Sequence, residues 1–245
     1  MSRSVWELML DGALDGISNM AIDAALLEEV EASPDARTIV RFYRWRTPTI
    51  SLGRNQKVEK AVDRQYCADN GVDVVHRPTG GRAVLHDDEV TYAVTSNDSS
   101  YFGDSIYANY RKVSEALCDA FHHLGVRAVL APETRRIAAT PDGGDPPCFM
   151  SPSRYELMVD GRKIVGSAQR RLRRSFLQHG SMPIACDREL LARATGMSDA
   201  GPLYEEMAGI SEFLESRPST TQVTNALVGA FQSRFGIDFR DRGNG

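Results

Sequence analysis

The dipeptide Asp160-Gly161 constrains the fold of this chain more than any other feature of its sequence. Asp-Gly between two stretches of alternating apolar residues is typical of the two-residue turn that joins a β-hairpin. That turn fixes the register, so Val159 is expected opposite Arg162 and Met158 opposite Lys163. The sequence therefore predicts antiparallel strands at this point.

Helical and strand-like patterns are mixed along the rest of the chain. Apolar residues at helical spacing predict helices, and short apolar runs between turn residues predict strands. The predicted helices span residues 17–30, 58–70, 105–124, 188–194 and 222–235. The predicted strands span residues 38–45, 49–52, 72–75, 83–85, 90–95, 127–130, 155–159, 162–168 and 176–184. Ser18 or Asn19 is expected to cap the first helix. Strands joined by hairpins and mixed with helices predict an α+β fold with a mostly antiparallel sheet.

Length and charge narrow the class of protein. A chain of 245 residues fits one domain, and 42% hydrophobic residues predict a sizeable core. The formal net charge of -4 argues against nucleic acid or an anionic membrane as the main partner. No stretch approaches the ~20 apolar residues of a membrane helix. Residues 1–10 lack the long apolar run of a signal peptide, so a cytoplasmic protein is expected.

The four cysteines are candidates for packing or for chemistry. Their wide, irregular spacing fits neither a zinc site nor a disulfide framework, so free thiols are expected. Cys67 and Cys118 fall within predicted helices and fit the role of small buried residues, whereas Cys186 begins a short helix. Cys148 adjoins residues 131–147, whose glycines and prolines predict a long mobile loop. It is either another buried thiol or a nucleophile activated by a nearby cation.

The hairpin lysine has two interpretations. Lys163 is expected to share a half-apolar face with Met158, Val165 and Glu156. A lysine held against an apolar surface is suited to proton transfer. The alternative is a structural salt bridge with Glu156 across the diagonal of the hairpin.

Two further groups of residues could bind a ligand. The turn Thr79-Gly80-Gly81 allows close approach of a ligand to the backbone, although a plain hairpin turn is the alternative. It matches neither a Walker loop nor a dinucleotide-binding pattern. His86 and His179 could each act as a base, but no set of residues has metal-ligand spacing, so no metal is predicted. Residues 154–174 hold seven basic side chains and form either a docking patch or a solvated hairpin end.

Four segments of the chain share their pattern with known families. Residues 19–23 (NMAID), 77–92 (RPTGGRAVLHDDEVTY) and 161–169 (GRKIVGSAQ), the last continuing into 177–181 (LQHGS), resemble the biotin/lipoate protein ligase superfamily. Cys148-Phe149 followed by residues 152–157 (PSRYEL) resembles the octanoyltransferases of lipoate assembly.

The resemblance implies a single catalytic domain over residues 1–245 that needs no cofactor and has no accessory C-terminal domain. Cys148 would take an octanoyl group from acyl carrier protein, and a lysine of a lipoyl domain, such as the glycine-cleavage H protein, would receive it. Lys163 would activate the thiol and accept a proton from the incoming amine. The implied substrate-binding residues are Arg77, Thr79, Gly80, Gly81, Arg82, Ala83, His86, Gly166, Ser167, Ala168, His179, Gly180 and Ser181. The basic residues of 154–174 would dock the acidic protein partners.

Three alternatives are compatible with the same motifs. An ATP-dependent lipoate ligase would need Mg²⁺ and would not need Cys148. An amidotransferase that moves the acyl group between lipoyl domains would use the same cysteine and lysine. A non-catalytic binding protein for acylated carriers would need neither. His76 stands where relatives commonly have a second arginine, which leaves carboxylate or carrier recognition open.

Overall fold

The computed structural model describes residues 3–131 and 155–243. Cys148, Arg154 and nearly all of the loop predicted over 131–147 lie outside these ranges. The strands are β1 (Ser4–Leu14), β2 (Thr38–Trp45), β3 (Thr49–Leu52), β4 (Asp73–His76), β5 (Val84–His86), β6 (Glu89–Ser96), β7 (Val129–Leu130), β8 (Leu157–Val159), β9 (Arg162–Lys163), β10 (Gly166–Arg171), β11 (Phe176–Pro183) and β12 (Ile237–Asp241). The helices are α1 (Gly16–Ala32), α2 (Val58–Ala61), α3 (Arg64–Asp69), α4 (Ile106–His123), α5 (Arg188–Ala194), α6 (Gly201–Glu206) and α7 (Thr220–Phe235), with a 3-10 helix at Ile210–Phe213.

The strands form three sheets that confirm the predicted α+β fold. The largest has the order β10-β11-β6-β2-β1-β12, antiparallel from β10 to β2 and parallel where β1 pairs with β2 and β12. The second has the order β4-β3-β5, and the third is the antiparallel set β7-β8-β9. Most strand pairs are therefore antiparallel, as the hairpin signals predicted.

The two faces of the large sheet carry different helices. Side chains alternate along a strand, so Phe42 and Tyr43 of β2 point to opposite faces. Phe42 lies in the main core, where Leu117 of α4 and Phe231 of α7 also pack. Tyr43 lies in a smaller cluster with Met20 and Leu27 of α1. Because α1 covers this second face, its side chains become part of the candidate site described below.

The Asp160-Gly161 turn has the predicted geometry. Both residues have positive φ angles, 48° and 80°, as a type I′ hairpin turn requires. Val159 pairs with Arg162 and Met158 pairs with Lys163, which confirms the predicted register.

Several element boundaries differ from the sequence prediction. Asp15, rather than Ser18 or Asn19, caps α1, because its carboxylate accepts a hydrogen bond from the Ser18 amide at 2.8 Å. The helix predicted over 58–70 is interrupted by extended Val62, and Asp63 caps a new helix, α3. The strand predicted over 162–168 is two strands, β9 and β10, in different sheets. Strands β1 and β12 and helix α6 were not predicted from the sequence. Among the described helices, none is both long and apolar enough to cross a membrane.

Candidate active site

A pocket of about 320 Å³, including its opening to solvent, lies between α1 and the strands of the first two sheets. Eight of the thirteen predicted substrate-binding residues line it, namely Arg77, His86, Gly166, Ser167, Ala168, His179, Gly180 and Ser181. Six further residues complete the lining, namely Met20, Tyr43, Trp45, Ser51, Val84 and Thr91.

His179 is held on both ring nitrogens. Its Nδ1 lies 2.8 Å from a carboxylate oxygen of Asp23, and its Nε2 lies 2.7 Å from the hydroxyl of Thr79. Tyr43 and Arg41 also donate to Asp23, each at 2.8 Å. An ionised carboxylate only accepts, so Nδ1 carries the proton and Nε2 accepts from Thr79.

The charge state of this group follows from burial and hydrogen bonding. Burial lowers the pKa of His179 despite its hydrogen bond to Asp23, so the ring is neutral near neutral pH. Burial opposes ionisation of Asp23, but the hydrogen bond from His179 and the charge of Arg41 outweigh it and lower the pKa of Asp23. The group therefore presents a neutral imidazole of fixed orientation to the pocket.

His86 is held in the same way by a second buried carboxylate. Its Nδ1 lies 2.9 Å from Glu89, and its Nε2 lies 2.7 Å from the hydroxyl of Ser51. Burial opposes ionisation of Glu89, but its interaction with His86 and a hydrogen bond from Ser181 outweigh burial and lower the pKa of Glu89. The indole of Trp45 stacks on the His86 ring with centroids 4.1 Å apart. This wall is therefore rigid, with an aromatic surface toward the pocket.

Strands β10 and β11 form another wall of the pocket, and Gly180 of β11 allows them to approach closely. A Cβ atom there would lie 2.7 Å from the Gly166 carbonyl oxygen, the Ser167 hydroxyl and the Tyr92 ring. The Tyr92 hydroxyl donates to Ser167 at 2.7 Å. Any larger residue at 180 would push β10 away from β11.

Arg77 stabilises the glycine turn through hydrogen bonds to backbone carbonyls. Its guanidinium donates to the carbonyls of Gly80 at 2.8 Å, Arg82 at 2.7 Å and Ser51 at 2.8 Å. The side chain is only 5% exposed. In this structure Arg77 therefore supports the shape of the turn beside the pocket.

Five of the predicted residues do not line the pocket. Thr79 supports it indirectly through His179. Gly80 and Gly81 border a separate groove, and Ala83 packs in an apolar cluster with Leu52. Arg82 contributes its carbonyl to Arg77. Arg77 and Val84, which flank the turn, therefore line the pocket. Gly80 and Gly81 at the tip of the turn line the separate groove.

Lys163 is almost fully buried, with 3% of its surface exposed. Its ammonium donates to the carboxylate of Glu156, which is also buried. Its carbonyl accepts from the Ala208 amide at 3.0 Å, and its backbone forms a bridge to Met207. The predicted salt bridge is therefore present, and it holds the lysine on the hairpin strand that precedes the pocket wall. The role of Lys163 toward Cys148 stays a prediction.

The other three thiols are poor nucleophiles. Burial raises the pKa of Cys67 and of Cys118, and it raises the pKa of Cys186 to about 12. All three are therefore protonated near neutral pH, and only the thiolate is nucleophilic. This leaves Cys148 as the candidate nucleophile among the four cysteines.

Asp23 and Glu89 are the main site residues that the sequence analysis did not select. Both lie inside segments that carry the family resemblance, residues 19–23 and 77–92, and that was the available signal. Within residues 3–131 and 155–243, no three or more His, Cys, Asp or Glu side chains are grouped as metal ligands.

Comparisons with known proteins agree with this geometry. Residues 15–232 match the lipoyl protein ligase A/B catalytic domain family. The chain is 42% identical to octanoyltransferase LipM of Geobacillus kaustophilus (strain HTA426), over 78% of this chain and 69% of the relative. It is 36% identical to octanoyltransferase LipM of Moorella thermoacetica (strain ATCC 39073 / JCM 9320), over 98% of this chain and 89% of the relative. A crystal structure of lipoate-protein ligase A bound with ATP superposes with a TM-score of 0.78 at 25% identity, covering 98% of this chain and 90% of that one. The chain therefore belongs to the octanoyltransferase branch of the lipoyl protein ligase A/B catalytic domain family and is an acyltransferase.

Proposed function

We propose that this enzyme transfers an octanoyl group from octanoyl-acyl carrier protein to a lysine of a lipoyl domain, such as the glycine-cleavage H protein. The acyl group is held on Cys148 as a thioester between the two half-reactions. The observation that carries the proposal is the pocket. Its apolar and aromatic walls fit a short acyl chain, and its wall strand β10 follows directly on the hairpin that bears Lys163.

We propose that Lys163 transfers protons in both half-reactions, in addition to its ion pair with Glu156. In the first half-reaction the Cys148 thiolate attacks the thioester carbonyl, and the departing carrier thiolate takes a proton from the Lys163 ammonium. In the second, the amine of the acceptor lysine attacks the Cys148 thioester. The attacking nitrogen loses a proton to the neutral Lys163 and forms an amide with the octanoyl group. The Cys148 thiolate is released as the leaving group. The enzyme returns to its starting charge state, so no other reactant is needed.

Strand β10 is suited to stabilise the negative oxygen that forms during each attack. It is an edge strand of the large sheet in the part of the chain that the structure describes. Alternate backbone amides of an edge strand are not used by its neighbour. The amides within residues 166–168 that β11 does not use are therefore proposed as the oxyanion donors.

The test is the mass of the intact protein after incubation with octanoyl-acyl carrier protein in the absence of ATP. Wild type is expected to gain one octanoyl group, and transfer to a lipoyl domain should then remove it. Cys148→Ser should form no thioester adduct that hydroxylamine releases. Modification of the lipoyl domain only when ATP and free octanoate are supplied would instead indicate a ligase and would contradict the proposal.

Lys163→Arg separates the proton role of the lysine from its salt bridge. Arginine keeps the positive charge beside Glu156 but does not give up a proton in proteins. Acylation of Cys148 is expected to slow by about 100-fold or more, with little change in melting temperature. A wild-type rate in this variant would show that Lys163 has only the structural role.

A further inference from the structure

A second cavity borders the tip of the glycine turn. This groove encloses about 840 Å³, including open solvent, and is lined by residues 55–57, Lys60, Ala61, Gly80 and Gly81. The segments that form the pocket also form the groove. Ser51 lines the pocket and residues 55–57 follow it along the chain, whereas Arg77 and Val84 flank the glycine tip. The two cavities are therefore lined by neighbouring residues of the same two chain segments.

Two exposed lysines give the groove a positive rim. Lys57 and Lys60 are solvent-exposed, and within the described ranges their ammonium groups make no hydrogen bond or ion pair. The described lining of the groove contains no acidic residue, whereas the chain as a whole has a net charge of -4.

The predicted basic patch at residues 154–174 is different, because most of its described basic side chains form ion pairs or hydrogen bonds within the chain. Arg162 pairs with Glu212 at 2.6 Å, and Arg171 pairs with Asp104 at 2.7 Å. Arg174 donates to the Ser33 carbonyl at 2.7 Å. Among its described residues, Arg173 is exposed and makes no such contact, so the patch keeps fewer free cations than its seven basic residues suggest.

Gly80 has no conformational or packing reason to be glycine in the described structure. Its φ angle is not in the left-handed region, and apart from the glycine itself and its two chain neighbours no described residue has an atom within 4 Å of the position that a Cβ atom would occupy. Gly81, by contrast, has a φ of 96°, and its carbonyl packs against Gly53. The missing side chain at residue 80 leaves bare backbone on the groove floor, which suits close approach of a ligand.

We propose that this groove binds the phosphorylated pantetheine arm of the acyl donor, with Lys57 and Lys60 contacting its phosphodiester. The inference rests on the proposed function, since it assumes that the acyl chain on the same arm fills the adjoining pocket. A phosphodiester carries a negative charge on oxygens that accept from ammonium groups, and lysine binds phosphate as a point charge. A groove with a bare floor fits an extended arm.

The double variant Lys57→Ala/Lys60→Ala tests the phosphate contact. The KM for octanoyl-acyl carrier protein is expected to rise about three- to tenfold with kcat little changed, and the rise should shrink in high salt. The KM for octanoyl-pantetheine, which lacks the phosphate, should not change. Arg64→Ala is the matched control, because Arg64 is an exposed cation nearby in sequence that does not line the groove.

Gly80→Ala tests the groove floor independently. The methyl group should raise the KM for both pantetheine donors and leave unchanged the KM for octanoyl-N-acetylcysteamine, which lacks most of the arm. Gly229→Ala is the control, since it also has open space and an unstrained backbone but lies in α7.

The outcomes separate the two proposals. If wild type forms no octanoyl adduct with any donor, the proposed function fails and the groove assignment fails with it. If the adduct forms normally and the groove variants keep wild-type KM values for the carrier protein, only the groove assignment is overturned. A rise in KM confined to the acceptor lipoyl domain would also overturn it, because the groove would then serve the acceptor.

Discussion

Two histidines in the pocket wall share one pattern of contacts. His179 lies between Asp23 and Thr79, and His86 contacts Glu89 through the same ring nitrogen that His179 uses for Asp23. In each case a buried carboxylate fixes the proton on Nδ1 and a hydroxyl occupies Nε2. Neither ring is placed to act as a base without first losing a hydrogen bond. Both are therefore interpreted as rigid parts of the wall.

The neutral state of His179 predicts how stability depends on pH. Burial lowers its folded-state pKa below the ordinary value of 6.5. Between those two values the unfolded chain binds the proton and the folded chain does not, so the free energy of unfolding rises with pH. The contribution of His179 is fully present above pH 6.5 and is lost as pH falls toward the folded-state pKa, by up to about 1.4 kcal/mol per pH unit.

Urea unfolding of wild type and His179→Gln at about pH 7.5 and about pH 5.5 measures this contribution. The wild-type advantage over the variant is expected to shrink at the lower pH. An advantage that stays constant would show that folding leaves the pKa of His179 unchanged, and one that grows on acidification would show that the folded protein favours the charged ring.

At this scale the sequence identified residue types but not their partners. His179 and Asp23 are 156 positions apart, and no local pattern connects them. Thr79 and His179 were both predicted, yet the hydrogen bond between them became visible only when β11 and the glycine turn met in space.

The β8–β9 hairpin is the element that the sequence predicted in most detail. Its turn needs positive φ at two successive residues, and Asp-Gly meets that need locally. The same locality explains the missed elements. Strands β1 and β12 pair in parallel with partners far along the chain, so no turn beside them signals the pairing.

Replacement of Gly161 tests how far Lys163 depends on this turn. In Gly161→Ala the φ of 80° would place an alanine in the left-handed region, at a cost of about 1–2 kcal/mol. The new methyl group meets no described atom, so backbone strain is the only effect expected. Both the melting temperature and the rate of Cys148 acylation should fall.

Asp160→Asn is the matched control, because asparagine tolerates the left-handed conformation that residue 160 adopts. It should retain both stability and rate. If Gly161→Ala behaves like this control, the turn does not determine the position of Lys163.

On the scale of the whole molecule, a network of four charges joins the two ends of the chain. Arg37 and Arg242 each contact both Glu7 and Glu29, at distances from 2.7 to 3.2 Å. The hydrogen bond from Arg242, together with the one from Arg37, outweighs the effect of burial and lowers the pKa of Glu29. The network secures the edge of the sheet where β1 pairs with β12.

Arg242→Ala is expected to lower the free energy of unfolding by about 1 kcal/mol. The loss should be larger at about 0.01 M salt than at about 1 M salt, because these side chains are only partly buried. Arg3→Ala removes a single, well-exposed pair with Asp238 at the same edge and should change stability little. Equal losses in the two variants would argue against a cooperative network.

The sequence by itself determined the fold class, the hairpin register and eight residues of the pocket, because turn chemistry, strand alternation and the family motifs are local patterns. The tertiary structure decided which carboxylate holds which histidine, that Lys163 is buried against Glu156, and that the glycine turn separates a pocket from a lysine-lined groove. These facts depend on contacts between segments distant in the chain, and such contacts form only when burial of the apolar faces brings the sheets and α1 together.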